Sequence, residues 1–269
     1  MRRFFLVCSV SATLSQSGND NLMPSLGRKL CLTILVGIFA LAGSGVAWAQ
    51  SAIVETTGGK VEGVQQRVSG GPGVISFKGI PYAAPPVGAL RWKKPQPAAT
   101  WEGVRKADAY GPACIQMPGL SAANGGDPGP LSEDCLYLNV WAPKPDAAAK
   151  LPVMVWIHGG AYLFGAGGLP LYDGGPLASK GAVFVSMNYR LGALGFFAHP
   201  ALEKENPGGP VNFGLLDQIA ALQWIRKNIA HFGGDPDNVT ILGQSAGAKS
   251  VLALFASPLA RGLFQKGMR

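Results

Sequence analysis

The sequence is poor in ionisable side chains: Asp, Glu, Lys and Arg make up 14% of its 269 residues, with only three histidines and four cysteines. So little charge excludes a disordered chain or a coiled coil, while 48% hydrophobic residues suffice for one sizeable core. There is no internal repeat and no low-complexity tract, and the 38 glycines and 21 prolines follow no G-x-y period, which excludes collagen and favours many forced turns over long helical bundles. No stripe of Lys and Arg interleaved with aromatics is present. Three of the eight net positive charges lie in the first 49 residues, where Arg2, Arg3, Arg28 and Lys29 face only Asp20. The other cations are scattered, which argues against nucleic acid as a partner.

Long apolar runs are also missing. The longest clean one, Leu30 to Ala42, has 13 residues, short of the roughly 20 that span a bilayer, and Gly43, Ser44 and Gly45 interrupt its continuation. Preceded by Arg28-Lys29 and followed by Ala47-Trp48-Ala49, it has the three parts of a secretory signal, with an uncleaved anchor as the rival reading. Residues 23–49 are therefore expected to be a signal peptide and 1–22 a spurious upstream extension before Met23. The mature domain, 50–269, would be exported to the periplasm or the outside and carry no membrane span. Cys8 and Cys31 fall in the discarded part, leaving Cys114 and Cys135 for an oxidising compartment; a disulfide and two buried free thiols both remain open for them.

In the mature chain, Ile53 to Val64 reads as a hairpin around Gly58-Gly59, followed by a short strand Val74–Phe77. Residues 81–130 are irregular and Pro/Gly-rich, suited to walling a site. Strands are then expected at Leu136–Trp141, Val153–Ile157, Val183–Met187 and Val239–Leu242, and helices at Leu215–Ile229 and Ala246–Phe255. The runs VMVWI, VFVSM and VTIL are β-branched and non-alternating, as strands buried on both faces of a mostly parallel sheet should be. The fold class is α/β, with helices on both faces.

Chemistry concentrates in two small-residue turns. Gly243-Gln244-Ser245-Ala246-Gly247 is a G-x-S-x-G between a strand and a helix, the context in which a sharp turn exposes a nucleophilic serine at a helix N-terminus. The same stretch, GQSAGAKS, is one residue from a phosphate-binding loop, but Ala248 stands where that loop needs its second glycine. The second turn, His158-Gly159-Gly160-Ala161, ends strand VMVWI. There the N–H groups of Gly160 and Ala161, with that of Ala246, would form a three-donor oxyanion hole. No metal site and no cofactor are expected. A base and an orienting acid should follow the serine, yet residues 246–269 contain no Asp, Glu or His; His158, His199 and His231 all precede Ser245 and read as structural or surface histidines.

Three motifs, FKGIPYAAPPVGALRW from Phe77, SEDCLYLNVWAP from Ser132 and FGGDPDNVTILGQSAG from Phe232, make the chain resemble the N-terminal half of the type-B carboxylesterases, which include cholinesterases and bacterial para-nitrobenzyl esterases. The resemblance implies an α/β-hydrolase fold with its C-terminal part missing, hydrolysis of a small carboxylic ester, Ser245 as nucleophile, Gly160, Ala161 and Ala246 as oxyanion donors, and a Cys114–Cys135 disulfide. Three departures stand out. Gln244 occupies a place where relatives often carry Glu. Lys78 stands where an Arg usually faces the acid matching Glu133, so that ion pair is expected to lose its bidentate form. The cysteine loop lacks the tryptophan that binds quaternary ammonium, against a choline ester. Relatives continue well beyond this length, with the acid and histidine there, and the next strand of the sheet is expected where this sequence stops. The chain as given is expected to be nearly inactive, and a catalytically inactive, esterase-like interaction module is the alternative.

Overall fold

The computed structural model describes residues 52–269 apart from Pro118, Asn206, Gly208 and Pro210; the leader, the start at Met23, Cys8 and Cys31 lie outside the described residues. Eleven strands occur among the described residues: β1 (Ala52–Thr56), β2 (Gly59–Gln66), β3 (Val74–Pro81), β4 (Val104–Lys106), β5 (Ala113–Cys114), β6 (Leu131–Ser132), β7 (Tyr137–Ala142), β8 (Leu151–Ile157), β9 (Val183–Met187), β10 (Gly234–Gly243) and β11 (Lys266–Met268). Nine of them form one sheet in the order β1-β2-β3-β7-β9-β8-β10-β11, with β4 beside β2. β5 and β6 make a separate two-stranded ladder.

The sheet is mixed. From β1 through β3 and β7 to β9 every pairing on that path is antiparallel. From β9 through β8 and β10 to β11 all are parallel. The central strands alternate between two cores. Val153, Val155 and Ile157 of β8 face the larger one, and Met154 and Trp156 face a smaller one built on Val74, Trp141, Ala178 and Phe184. This is the strand period of two. It explains why VMVWI is apolar throughout: both faces are covered.

Helix Phe213–Asn228 buries Ile219, Leu222, Ile225 and Ile229 just beyond it in the larger core, at the i, i+3 and i+4 spacings of a helical stripe. Arg226 and Lys227 sit in its last turn, where the helix dipole favours cations. Helix Ala246–Ala256 buries Ala246, Gly247, Ser250, Val251 and Leu254 by the same spacings, and Pro258 follows its end. The short helix Gly175–Ala178 lies at the smaller core, so helices cover both faces. No helix among the described residues is long and apolar enough to cross a membrane.

Two local expectations change. β10 starts at Gly234 rather than Val239, with an irregular register between those residues. Glu133 keeps a bidentate partner after all, because Arg91 supplies it: Nε to Oε2 and Nη2 to Oε1 are both 2.6 Å. The reason is the reach of the chain, which turns through Pro85-Pro86 and the single turn Gly88–Leu90 and brings Arg91 back to the cysteine loop. Lys78 has a different neighbour, its ammonium lying 4.6 Å from the centre of the Tyr110 ring.

Candidate active site

Parallel pairing of β8 with β10 aligns Ile157 with Gly243, so the turns that leave these two strands emerge side by side at the same sheet edge. The contact is backbone on backbone. A Cβ on Gly247 would run into the Ile157 carbonyl, one on Gly243 into the Gly247 backbone, and one on Gly159 would come within 3.2 Å of Ser245 Cβ. Each of these glycines is fixed by close approach rather than by local flexibility.

Ser245 lies between β10 and helix Ala246–Ala256 at φ 55° and ψ −117°, a conformation that an L residue adopts only at a cost of order 1–3 kcal/mol. The turn is closed by Gly247 N–H donating to Gln244 O at 2.9 Å and Lys249 N–H donating to Ser245 O at 3.1 Å. Ser245 is exposed into a cavity of about 240 Å³ whose lining includes Gly160, Ala161, Phe164, Tyr172 and Gln244. The lining carries no ionised side chain.

The facing turn is strained as well. Gly160, Ala161 and Tyr162 have φ of 109°, 54° and 62°. The N–H groups of Gly160 and Ala161 have no partner among the described residues, and Ala246, the first residue of its helix, carries one of the orphan donors of a helix N-terminus. Gly160 and Ala161 line the same cavity as Ser245, and Ala246 follows the serine directly. Such a set can receive an anion or an oxygen on which negative charge develops.

The histidines are occupied elsewhere. His158 is buried, stacks on Tyr189 at 4.4 Å and donates from Nδ1 to Gly159 O at 2.7 Å. Its Nε2 is left as a buried acceptor without a partner, and burial pushes its pKa down to about 4. His231 Nδ1 bonds Glu55 O at 2.7 Å, and His199 Nδ1 accepts from Ala201 N–H at 3.2 Å. None of the three is hydrogen-bonded to Ser245.

Cys114 and Cys135 form a disulfide with Cα atoms 5.0 Å apart. Gln116, two residues on, and Ser121 are site residues with no sequence signal. The side chain of Gln116 bonds the backbone of Gly165, and Ser121 lines the cavity itself.

Residues 50–268 match the carboxylesterase family, and the chain belongs to it. It is 53% identical over 218 residues to a para-nitrobenzyl esterase of Bacillus subtilis, covering 80% of this chain and 42% of that protein. To a fumonisin B1 esterase of Sphingopyxis macrogoltabida it is 45% identical over 237 residues, 88% of this chain and 42% of the relative. The solved structure of a thermophilic para-nitrobenzyl esterase superposes with a TM-score of 0.72 at 50% identity, covering 81% of this chain and 44% of that one. The chain thus spans less than half the length of these relatives and has the α/β-hydrolase fold.

Proposed function

We propose that this chain supplies the nucleophile and the oxyanion hole of a serine carboxylesterase. The observation that carries the reading is Ser245, held at φ 55° at a helix N-terminus and exposed beside the free N–H groups of Gly160 and Ala161. Ser245 Oγ attacks the carbonyl carbon of a small carboxylic ester. The carbonyl oxygen, as it gains charge, accepts hydrogen bonds from Gly160, Ala161 and Ala246, each such donor being typically worth 10²–10³ in rate. The alcohol leaves, and water then hydrolyses the acyl-enzyme. An uncharged lining suits a neutral ester. The reading also requires a general base, and none of the three described histidines is bonded to Ser245: His158 is buried, His199 Nδ1 accepts from Ala201 N–H, and His231 Nδ1 bonds Glu55 O.

That same shortage of a base favours a second reading, an esterase-like interaction module without turnover. Labelling with an organophosphonate and intact-mass detection separates the two. In a protein that also carries the general base, the esterase reading expects one equivalent of label on Ser245 and hydrolysis of para-nitrophenyl acetate, both abolished by Ser245→Ala. An unlabelled protein, or equal labelling of Ser245→Ala, would overturn it in favour of the module.

We also infer export, with cleavage after Ala49. The signal-like order of residues 28–49 and the Cys114–Cys135 disulfide support it. Protein recovered outside the cytoplasm should begin at Gln50, and a retained leader would overturn the inference.

A further inference from the structure

We infer that Gln116 is a positioning residue for the oxyanion turn, acting through the backbone of Gly165. The inference rests on the esterase reading above and adds to it a group outside both turns.

The loop from Gly160 to Gly165 carries the free N–H groups at its near end and two consecutive non-glycine residues, Ala161 and Tyr162, in the left-handed region. Conformations of this kind persist only where the surroundings over-determine them. Three restraints do so here. Gly160 O accepts from Leu163 N–H at 2.8 Å and Phe164 N–H at 3.1 Å, and Tyr162 O accepts from Gly192 N–H at 2.7 Å. The far end is held by two side chains: Ser121, whose Oγ accepts from Gly165 N–H at 3.0 Å, and Gln116, which bonds both backbone groups of Gly165. Gly165 N–H donates to Oε1 at 2.9 Å, and Nε2 donates back to Gly165 O at 3.0 Å. A side-chain amide has taken the place of a neighbouring strand.

The rest of the amide is also committed. Nε2 donates to Cys114 O at 3.0 Å, and Oε1 accepts from the buried Ser121 Oγ at 2.5 Å. With two donors and two acceptors used, the amide has one orientation only, since a flip would oppose donor to donor at Gly165. Its anchor, Cys114, is tied to Cys135 beside β7. No room exists for slack on the other side: a Cβ on Gly165 would come within 2.5 Å of His158 Nδ1. Glutamate would keep the size of the side chain but lose both donors, and asparagine would fall one methylene short.

Two measurements test this on the whole chain with Gln116→Glu and Gln116→Ala, and with Ser121→Ala as a milder variant that keeps the amide. Hydrogen exchange over residues 159–165 should quicken by about tenfold in the Gln116 variants, the loss expected from a hydrogen bond or two, and less in Ser121→Ala, while β8 and β10 stay protected. Saturation kinetics of organophosphonate labelling should show the maximal rate at Ser245 falling at least about tenfold, with little change in half-saturation. Unchanged exchange in this loop, or an effect confined to half-saturation or spread evenly over the sheet, would overturn the inference and leave Gln116 as general support for the cysteine loop. If the unaltered protein takes no label, the esterase reading fails, and the exchange data still decide whether Gln116 holds the turn.

Discussion

The two halves of the sheet are built differently and carry different burdens. In the antiparallel half, β1, β2 and β3 follow one another within residues 52–81 and hold no functional candidate. In the parallel half, β8 and β10 are neighbours although residues 158–233 separate them, and each ends in a strained turn at the same edge. Parallel neighbours point the same way, so their exit turns meet; antiparallel neighbours would send them to opposite edges. The site follows from strand direction as much as from residue identity.

If the parallel half bears the costly interactions, breaking one there should hurt most. Arg190, just after β9, pairs with Asp217 of helix Phe213–Asn228 through Nε at 2.8 Å and Nη2 at 2.7 Å, and both side chains are buried. Asp217→Ala should cost about 3–5 kcal/mol in urea unfolding, because it strands the Arg190 charge. Next comes His158. Its folded pKa of about 4 lies below the ordinary 6.5, so the unfolded chain takes up the proton first as pH falls. Stability should be flat above pH 6.5 and decline by about 3 kcal/mol towards pH 4, and His158→Asn should flatten that slope. Smallest is Glu133→Gln, outside the parallel half, in the segment between the β5–β6 ladder and β7. The hydrogen bond from Arg91 holds the Glu133 carboxyl below its ordinary value, so its contribution is present at neutral pH and lost as pH falls through the depressed value. Thermal melts between pH 7 and 3 should show a weaker acid dependence in this variant. An ordering with Glu133 above Asp217 would dissolve the contrast between the parallel half and the rest.

Much of this was legible in the chain. The runs VMVWI and VFVSM announce β8 and β9 because doubly covered strands need apolar residues on both faces, while VTIL of β10 places Val239 and Ile241 in the larger core and leaves Thr240 and Leu242 half-buried. The turns at Gly159 and Ser245 announce themselves by small residues that backbone contact demands. The short strands β4, β5 and β6 carried no pattern, since two or three residues pair only when the fold brings an edge to them, and β11 was expected from the family resemblance rather than from its own residues. The partner of Glu133 was hidden because Arg91 and Lys78 are both cations, and spacing alone does not say which returns to it. Gln116 gave no sign at all: its role is made of backbone atoms of Cys114 and Gly165, and backbone leaves no trace in residue identity.

The wide separation of β8 and β10 also sets a clock. As the chain leaves the ribosome, β1 to β3 close on one another while the rest is still being made, since their loops are short. The apolar β8 is completed early but gains β9 only after residue 183 and β10 only after residue 239. Until then it offers an open, hydrophobic strand edge to whatever is near, the stage at which such chains aggregate. The strain at Ser245 arises only when β10 docks and draws its turn against Gly159.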